Sequence, residues 1–321
     1  MKAIVFHTYG SPDVLELREI DTPVPDDDQV LVRVRAASVN ALDWHHIRGE
    51  PYAMRATEGL TKPKNTGVGA DLAGVVEAVG ANVTHVHPGD EVFGMSIKTC
   101  AEAVCVGGEG VVPKPANVTF EQAAAVPVAA LTALQGLRDK GQIQSGQKVL
   151  INGASGGVGT FAVQLAKTFG ADVTGVCSTR NVDLVRSLGA DRVVDYTQED
   201  FSRSAERYDM LFDAAGNRSL SDCRRILSPK GILVLVGAAE GRWIGPLARP
   251  VKALAMSPFV SQTLLFFVAK RNQPDLIVLK DLLEAGTIAP VIDRSYPLSD
   301  VPDAIRYLEE GHARGKVVIT I

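Results

Sequence analysis

The stretch that most constrains this 321-residue chain is KVLINGASGGVGTFAVQLAKTFG, residues 148–170. An apolar run, Lys148 to Asn152, meets the turn Gly153-Ala154-Ser155-Gly156-Gly157-Val158-Gly159. A helical pattern follows. Val158, Phe161, Ala162, Leu165, Ala166 and Phe169 recur at the spacing of one apolar helix face. Gly170 is placed to stop that helix. Glycines allow a tight turn and a close approach of the backbone to a pyrophosphate. The helix N-terminus adds free N–H groups and a positive dipole end. A glycine-rich turn alone is weak evidence, but here it has a strand before it, a helix after it and a second strand on schedule. That context predicts a dinucleotide site, with Ser155, Gly156, Gly157 and Val158 against the phosphates.

The second strand ends at TGVCSTRN, residues 174–181. A carboxylate at this point would accept from a ribose 2′-hydroxyl and repel a 2′-phosphate. The chain has Ser178, Thr179 and Arg180 instead. A guanidinium pairs a phosphate through its planar fork, and the two hydroxyls can add neutral donors. The expected cofactor is therefore NADPH rather than NADH. Tyr196, ending the next strand in VVDY, is placed to pack against the adenosine end.

From Lys148 to about Ala238 the strands KVLIN, DVTGVC, RVVDY, YDMLFDA and GILVLVG alternate with helical stretches. This predicts a doubly wound parallel sheet. Residues 1–118 differ: many short apolar or alternating runs are separated by clusters such as TPVPDDD and HVHPGD, as in a small β-barrel or sandwich. The pattern changes near Thr119, where TFEQ fits a capping box before a helix disturbed at Pro127. PYAMRATEGLTKPKNTG, from Pro51, reads as a loop. VSQTLLFFV, from Val260, reads as a strand or helix at a core or subunit interface, with a membrane-surface patch as the second reading. The remainder is a helix (DLIVLKDLLEAG), a strand (IAPVI), a helix (DVPDAIRYLEEG) and a strand (KVVITI) that suits packing back onto the first domain.

The net charge of −4 disfavours nucleic acid as main partner. No run approaches the ~18 apolar residues of a membrane span. The N-terminal MKAIVFHTYG lacks the features of a signal peptide. Cys100, Cys105, Cys177 and Cys223 include no C-x-x-C pair and read as reduced thiols. The cytoplasm is the expected compartment. His45 and His46 are adjacent and His85 and His87 are two apart, with no third ligand nearby. A tetrahedral metal site is not expected.

The stretches VRVRAASVNALDWHHIRG, GADLAGVVEAVGANVTHVHPGDEV, AAAVPVAALTAL, GASGGVGTFAVQLAK, SLGADRVVDY and GHARGKVVI resemble the zinc-independent quinone oxidoreductases of the medium-chain dehydrogenase/reductase superfamily. The resemblance covers essentially the whole chain. It is nearest the subgroup of chloroplast envelope quinone oxidoreductase homologues and reticulon-interacting mitochondrial proteins. It implies an α/β fold with a GroES-like β-rich catalytic domain, 1–122 with 270–321, and a Rossmann NADPH-binding domain, 123–269. Zinc alcohol dehydrogenases carry Cys near the position of Asn40 and Gly-His-Glu where this chain has Gly69-Ala70-Asp71. The resemblance places Asn40 by the nicotinamide, Thr132 on the nicotinamide side, and Ala215, Gly237 and Ala238 against ribose and nicotinamide. Lys316 is implied at the cofactor cleft and Asp43 as a loop-holding residue. His45 departs from the Lys or Tyr usual in related branches.

The activity implied is hydride transfer from NADPH to a quinone or an enone or alkenal. Asn40, His45 and Tyr52 are the candidate donors to the oxygen that gains charge, and solvent is an alternative proton source. Two other readings stand beside it: an enoyl-thioester reductase, and a non-enzymatic NADPH-binding redox sensor. The resemblance further implies a homodimer.

Overall fold

Seven short strands form in the first part of the chain: β1 (Lys2–Val5), β2 (Glu16–Glu19), β3 (Gln29–Val39), β4 (Asp71–Val79), β5 (Glu91–Met95), β6 (Ala103–Gly107) and β7 (Val111–Pro113). The computed structural model describes residues 1–236 and 245–321, and these divide into two units. The first unit is Met1–Leu131 with Arg271–Ile321; the second is Thr132–Lys270. β1 and β2 make an antiparallel ribbon. β3 is the axis of the main sheet of the first unit. Val30, Val32 and Val34 are buried while Arg33 and Arg35 face out, the period-2 alternation of a one-sided strand. β4 pairs along one side of β3, and β6 takes the first half of the other side, Gln29–Arg33.

In the second unit the strands are β8 (Lys148–Asn152), β9 (Asp172–Cys177), β10 (Arg192–Asp195), β11 (Tyr208–Asp213), β12 (Leu227–Leu235) and β13 (Thr263–Phe266). All pair in parallel, in the order β10-β9-β8-β11-β12-β13. The chain starts at β8, winds outward to β10, returns to β11 and winds outward again. The reversal between β8 and β11 is the switch point where such sheets bind ligands. The helix Gly157–Thr168 buries Phe161, Ala162, Leu165 and Ala166 completely, and Gly170 follows at a φ of +77°.

The chain then returns to the first unit with β14 (Ile292–Pro297) and β15 (Lys316–Thr320). β15 fills the half of the β3 edge that β6 leaves, pairing Val317 with Val39 and Thr320 with Ala36. The helix Val301–Glu309 covers this end of the core with Val301, Ala304 and Ile305.

Three local expectations changed. IAPVI is not the strand: β14 begins at Ile292, where pairing with Lys316 starts, beyond Pro290, which has no N–H to give a ladder. The loop from Pro51 holds two short helical turns, Tyr52–Met54 and Arg55–Glu58. Arg55 organises them, donating to Gly49 O and Arg48 O and stacking over the Tyr9 and Tyr52 rings at 4.4 and 4.6 Å. The helix after Thr119 is two helices, Phe120–Ala124 and Pro127–Gln135. The capping box is formed by reciprocal Thr119 and Gln122 bonds, and Pro127 opens the second helix, where its missing N–H costs least.

Candidate active site and cofactor loop

In the first unit, sheet register gathers four polar residues. Ser38 lies opposite Asp71 across β3 and β4, and Lys316 precedes the residue opposite Val39. Asn40 follows β3 directly and starts the helix Ala41–Arg48. Lys316 Nζ donates to Asn40 Oδ1 at 2.5 Å, pairs with Asp71 Oδ2 at 3.1 Å and faces Val39 O at 3.5 Å. Asn40 Nδ2 donates to Asp71 Oδ2 at 2.9 Å, and Ser38 Oγ donates to the same oxygen at 2.6 Å. The other Asp71 oxygen accepts the Val128 N–H at 2.7 Å. Asp71 is fully buried and Lys316 is 3% exposed.

An ammonium has three hydrogens to give, and here three oxygens take them. Lys316 therefore serves Asn40 and Asp71, and does not stand as a free donor. The Asn40 amide has its oxygen fixed by Lys316 and one hydrogen fixed by Asp71. One amide hydrogen remains for a ligand.

Asp43 closes the cluster from below. Its Oδ2 accepts the Asn40 N–H at 2.7 Å and its Oδ1 accepts the Gly69 N–H at 3.1 Å. Burial pushes its carboxyl up to about 7, aided by Asp71 and opposed by those two bonds and by Lys316. The loop-holding role implied for Asp43 is the geometry found.

His45 stacks on Trp44, ring centres 3.6 Å apart. Its Nδ1 faces Glu50 O at 2.8 Å. A carbonyl only accepts, so Nδ1 carries the hydrogen and Nε2 of the neutral ring is an acceptor. Burial also lowers its pKa. Proton donation from His45 thus needs a ring form that its surroundings disfavour. Tyr52 is half-buried in its helical turn beneath Arg55.

In the second unit, the turn from Gly153 to Gly159 is built by close approaches. A Cβ on Gly159 would stand 2.0 Å from Gly153 O, so helix and strand meet only because none is there. Gly153 has φ +84°, and a Cβ on it would lie 3.2 Å from Ala215. This brings Ala215, exposed after β11, to the glycine turn. A Cβ on Gly156 would meet only Gly153 O, at 3.5 Å. The turn opens directly into the helix Gly157–Thr168, and the N–H groups of a helix N-terminus fit a pyrophosphate.

The end of β9 stands beside this turn. Asn181 Nδ2 donates to Ser155 Oγ at 3.0 Å and to Ser178 Oγ at 3.2 Å. Arg180 is exposed. The Tyr196 N–H donates to Cys177 O, so Tyr196, 44% exposed, stands next to Ser178. Thr179 also has a partner within the protein. Its hydroxyl hydrogen goes to Asp195 Oδ2 at 2.6 Å, a bond that also holds the Asp195 carboxyl below the usual range. Thr132 is half-buried in the helix Pro127–Gln135. Gly237 and Ala238 lie outside the described residues.

Sequence reasoning missed the strand ends at the switch point. Asn152, ending β8, donates to Asp213 Oδ1 at 2.8 Å and Asn217 Oδ1 at 2.9 Å. Asp213, ending β11, also accepts the Gly216 N–H and an Arg249 bond of 2.6 Å. These bonds fix the loop that carries Ala215. The available signal was an Asn and an Asp closing two apolar strands. Among the described residues, no group of three His, Cys, Asp or Glu side chains could hold a metal ion.

A zinc-binding dehydrogenase family model matches residues 188–319, and an alcohol dehydrogenase GroES-like domain model matches residues 26–136. The chain is 37% identical to the 2-methylene-furan-3-one reductase of Solanum lycopersicum, over 99% of this chain and 79% of that protein. It is 36% identical to the chloroplastic NADPH-dependent alkenal/one oxidoreductase of Arabidopsis thaliana, with the same coverage. The quinone oxidoreductase of Coxiella burnetii superposes with a TM-score of 0.88 at 30% identity, covering 100% of this chain and 99% of that one. With a GroES-like unit, a Rossmann unit and relatives matched along its length, the chain belongs to the quinone oxidoreductase-like branch of the medium-chain dehydrogenase/reductase superfamily.

Proposed function

We propose that the protein is an NADPH-dependent oxidoreductase that reduces a quinone or an α,β-unsaturated carbonyl without a metal ion. The observation that carries this reading is the end of β9. It stands beside the glycine turn, it finishes in Cys177-Ser178 with Arg180 exposed just after, and it bears no carboxylate. Arg180 and Ser178 are assigned to the 2′-phosphate, the N–H groups of Gly157 and Val158 to the pyrophosphate, with the Gly156 N–H closing the turn on Gly153 O at 3.1 Å, and Tyr196 to the adenosine. The acceptor class is supported by the alkenal/one and quinone activities in the relatives' names.

When bound, the dihydronicotinamide supplies the hydride. The chain's own part is to hold donors for the acceptor oxygen as it gains charge. The remaining amide hydrogen of Asn40, aimed by Lys316 and Asp71, is the first candidate. Neutral His45 accepts rather than donates, so the anionic product takes its proton from water. Asn40 and Ala70 stand where the zinc enzymes of the superfamily carry ligands, which supports a metal-free reaction. Four free cysteines fit a reducing compartment, the cytoplasm in this reading. The β13 edge strand and the exposed Val251, Leu254, Phe259 and Val268 near it support pairing with a second copy of the chain.

Binding and turnover test the proposal. Arg180→Ala should weaken NADPH about tenfold or more while NADH changes by less than about twofold; equal losses would overturn the cofactor assignment. NADPH oxidation is expected with some member of a quinone and enone panel. Saturable NADPH binding with no turnover on any acceptor would point to a redox sensor, and stoichiometric zinc in the purified protein would overturn the metal-free reaction.

A further inference from the structure

Asn181 is 4% exposed and lies between the two loops assigned to the cofactor. It stands at the N-cap of the helix Val182–Ser187 yet its side chain makes no capping bond, although Asn is among the strongest N-cap residues. Its amide nitrogen is turned instead to Ser155 and Ser178. One hydroxyl belongs to the glycine turn and the other to the end of β9. The amide oxygen is buried with no partner among the described residues.

The orientation of this amide follows from its unpaired end. Turned over, the oxygen would accept from both serines, and two N–H hydrogens would be left unpaired. As placed, one acceptor is unpaired. Orphaned donors are the rarer and costlier case, so both amide hydrogens go to the serines. Each serine oxygen then receives a bond, and each hydroxyl keeps its one hydrogen to give elsewhere.

We propose that Asn181 is a positioning residue for the cofactor's phosphates, holding Ser155 as a donor to the pyrophosphate and Ser178 as a donor to the 2′-phosphate. The Ser178 arm rests on the NADPH reading; the Ser155 arm holds for either nucleotide. Asn181 touches neither phosphate and acts through the two hydroxyls.

The test is nucleotide affinity of the full chain, measured for NADPH and NADH by titration calorimetry, with thermal stability recorded alongside. Asn181→Ala should weaken NADPH about tenfold and NADH about threefold, as expected for lost bonds to charged groups. Acting through Ser178, it should also silence that residue: Ser178→Ala added to Asn181→Ala should cost NADPH less than about twofold more. Asn181→Asp keeps the size but accepts from both hydroxyls, and should weaken NADPH more than alanine does; it replaces Asn181→Ala if that variant does not fold. Unchanged affinities, additive losses in the Ser178 pair, or an equal loss of both nucleotides with lowered stability would overturn the proposal. If the wild-type protein shows no NADPH preference and Arg180→Ala is neutral, the cofactor reading fails by itself. The Asn181/Ser155 pair then decides with NADH: non-additive losses uphold the positioning role, and additive losses end it.

Discussion

Asn40 is held by charges it does not carry. Its amide oxygen is clamped by Lys316 and one amide hydrogen by Asp71, and both ions are buried. Removing one partner of a buried pair leaves the other uncompensated, at about 3–5 kcal/mol. Lys316→Met is therefore expected to lower stability by that amount, measured by denaturant unfolding, and Lys316→Met with Asp71→Leu should recover part of it. The Asp43 carboxyl gives a pH signature. Its folded-state value is raised to about 7, above the ~3.9 of an unfolded Asp. Between those values the folded chain keeps a proton that the unfolded chain has lost, so this group's stabilisation declines as pH rises from about 4 to 7. Asp43→Asn should flatten that part of the stability–pH curve; an unchanged slope would show that Asp43 is ionised throughout. The cluster was only half legible in sequence. Asn40 and Lys316 came through family resemblance, whereas Ser38, Asp71 and their mutual bonds depend on register between β3, β4 and β15, which no local pattern encodes. The bond from Thr179 to Asp195 was not legible, because Asp195 belongs to the neighbouring strand.

At the scale of elements, the unit from β8 through β9 was legible almost residue by residue. Strand, glycine turn and helix are contiguous, and Gly153 and Gly159 each answer a local steric demand. Gly159→Ala tests the tightest of these. Its Cβ would meet Gly153 O at 2.0 Å, so helix and turn must separate, and both NADPH and NADH affinity should fall by more than about tenfold, because the pyrophosphate cradle is common to both. Calorimetric titration checks this; a nucleotide-selective loss would contradict it. Elements set by tertiary pairing were less legible. β14 starts later than its apolar run suggests, because a strand begins where its partner's ladder begins. The turns after Pro51 form around Arg55, whose partners Tyr9 and Gly49 are supplied by other segments.

For the whole molecule, the two-unit organisation follows from a change of period along the chain. Short alternating strands give way to regular β-α alternation and return near the end. The apolar run from Val260 contains β13, which among the described residues has only β12 beside it. An exposed edge with Val251, Leu254 and Phe259 close to it in sequence is a surface that proteins seldom leave bare. Sedimentation is expected to report a dimer, and Leu254→Asp with Phe259→Asp should shift it to monomer while leaving nucleotide affinity within about twofold. A wild-type monomer at micromolar concentration would remove the homodimer from the proposal.

The place of Lys316 also bears on how the protein is made. Asp71 emerges from the ribosome 245 residues before its counter-ion. At about 5–20 residues per second, that is an interval of roughly ten to fifty seconds. Throughout it, β4 carries a carboxylate that cannot be buried at low cost, and the far half of the β3 edge has no neighbour. The Rossmann unit is synthesised entirely within that interval and can complete its sheet first. The nascent first unit must wait as an open sheet, so any chain cut short before β15 would present a half-finished edge to chaperones and proteases.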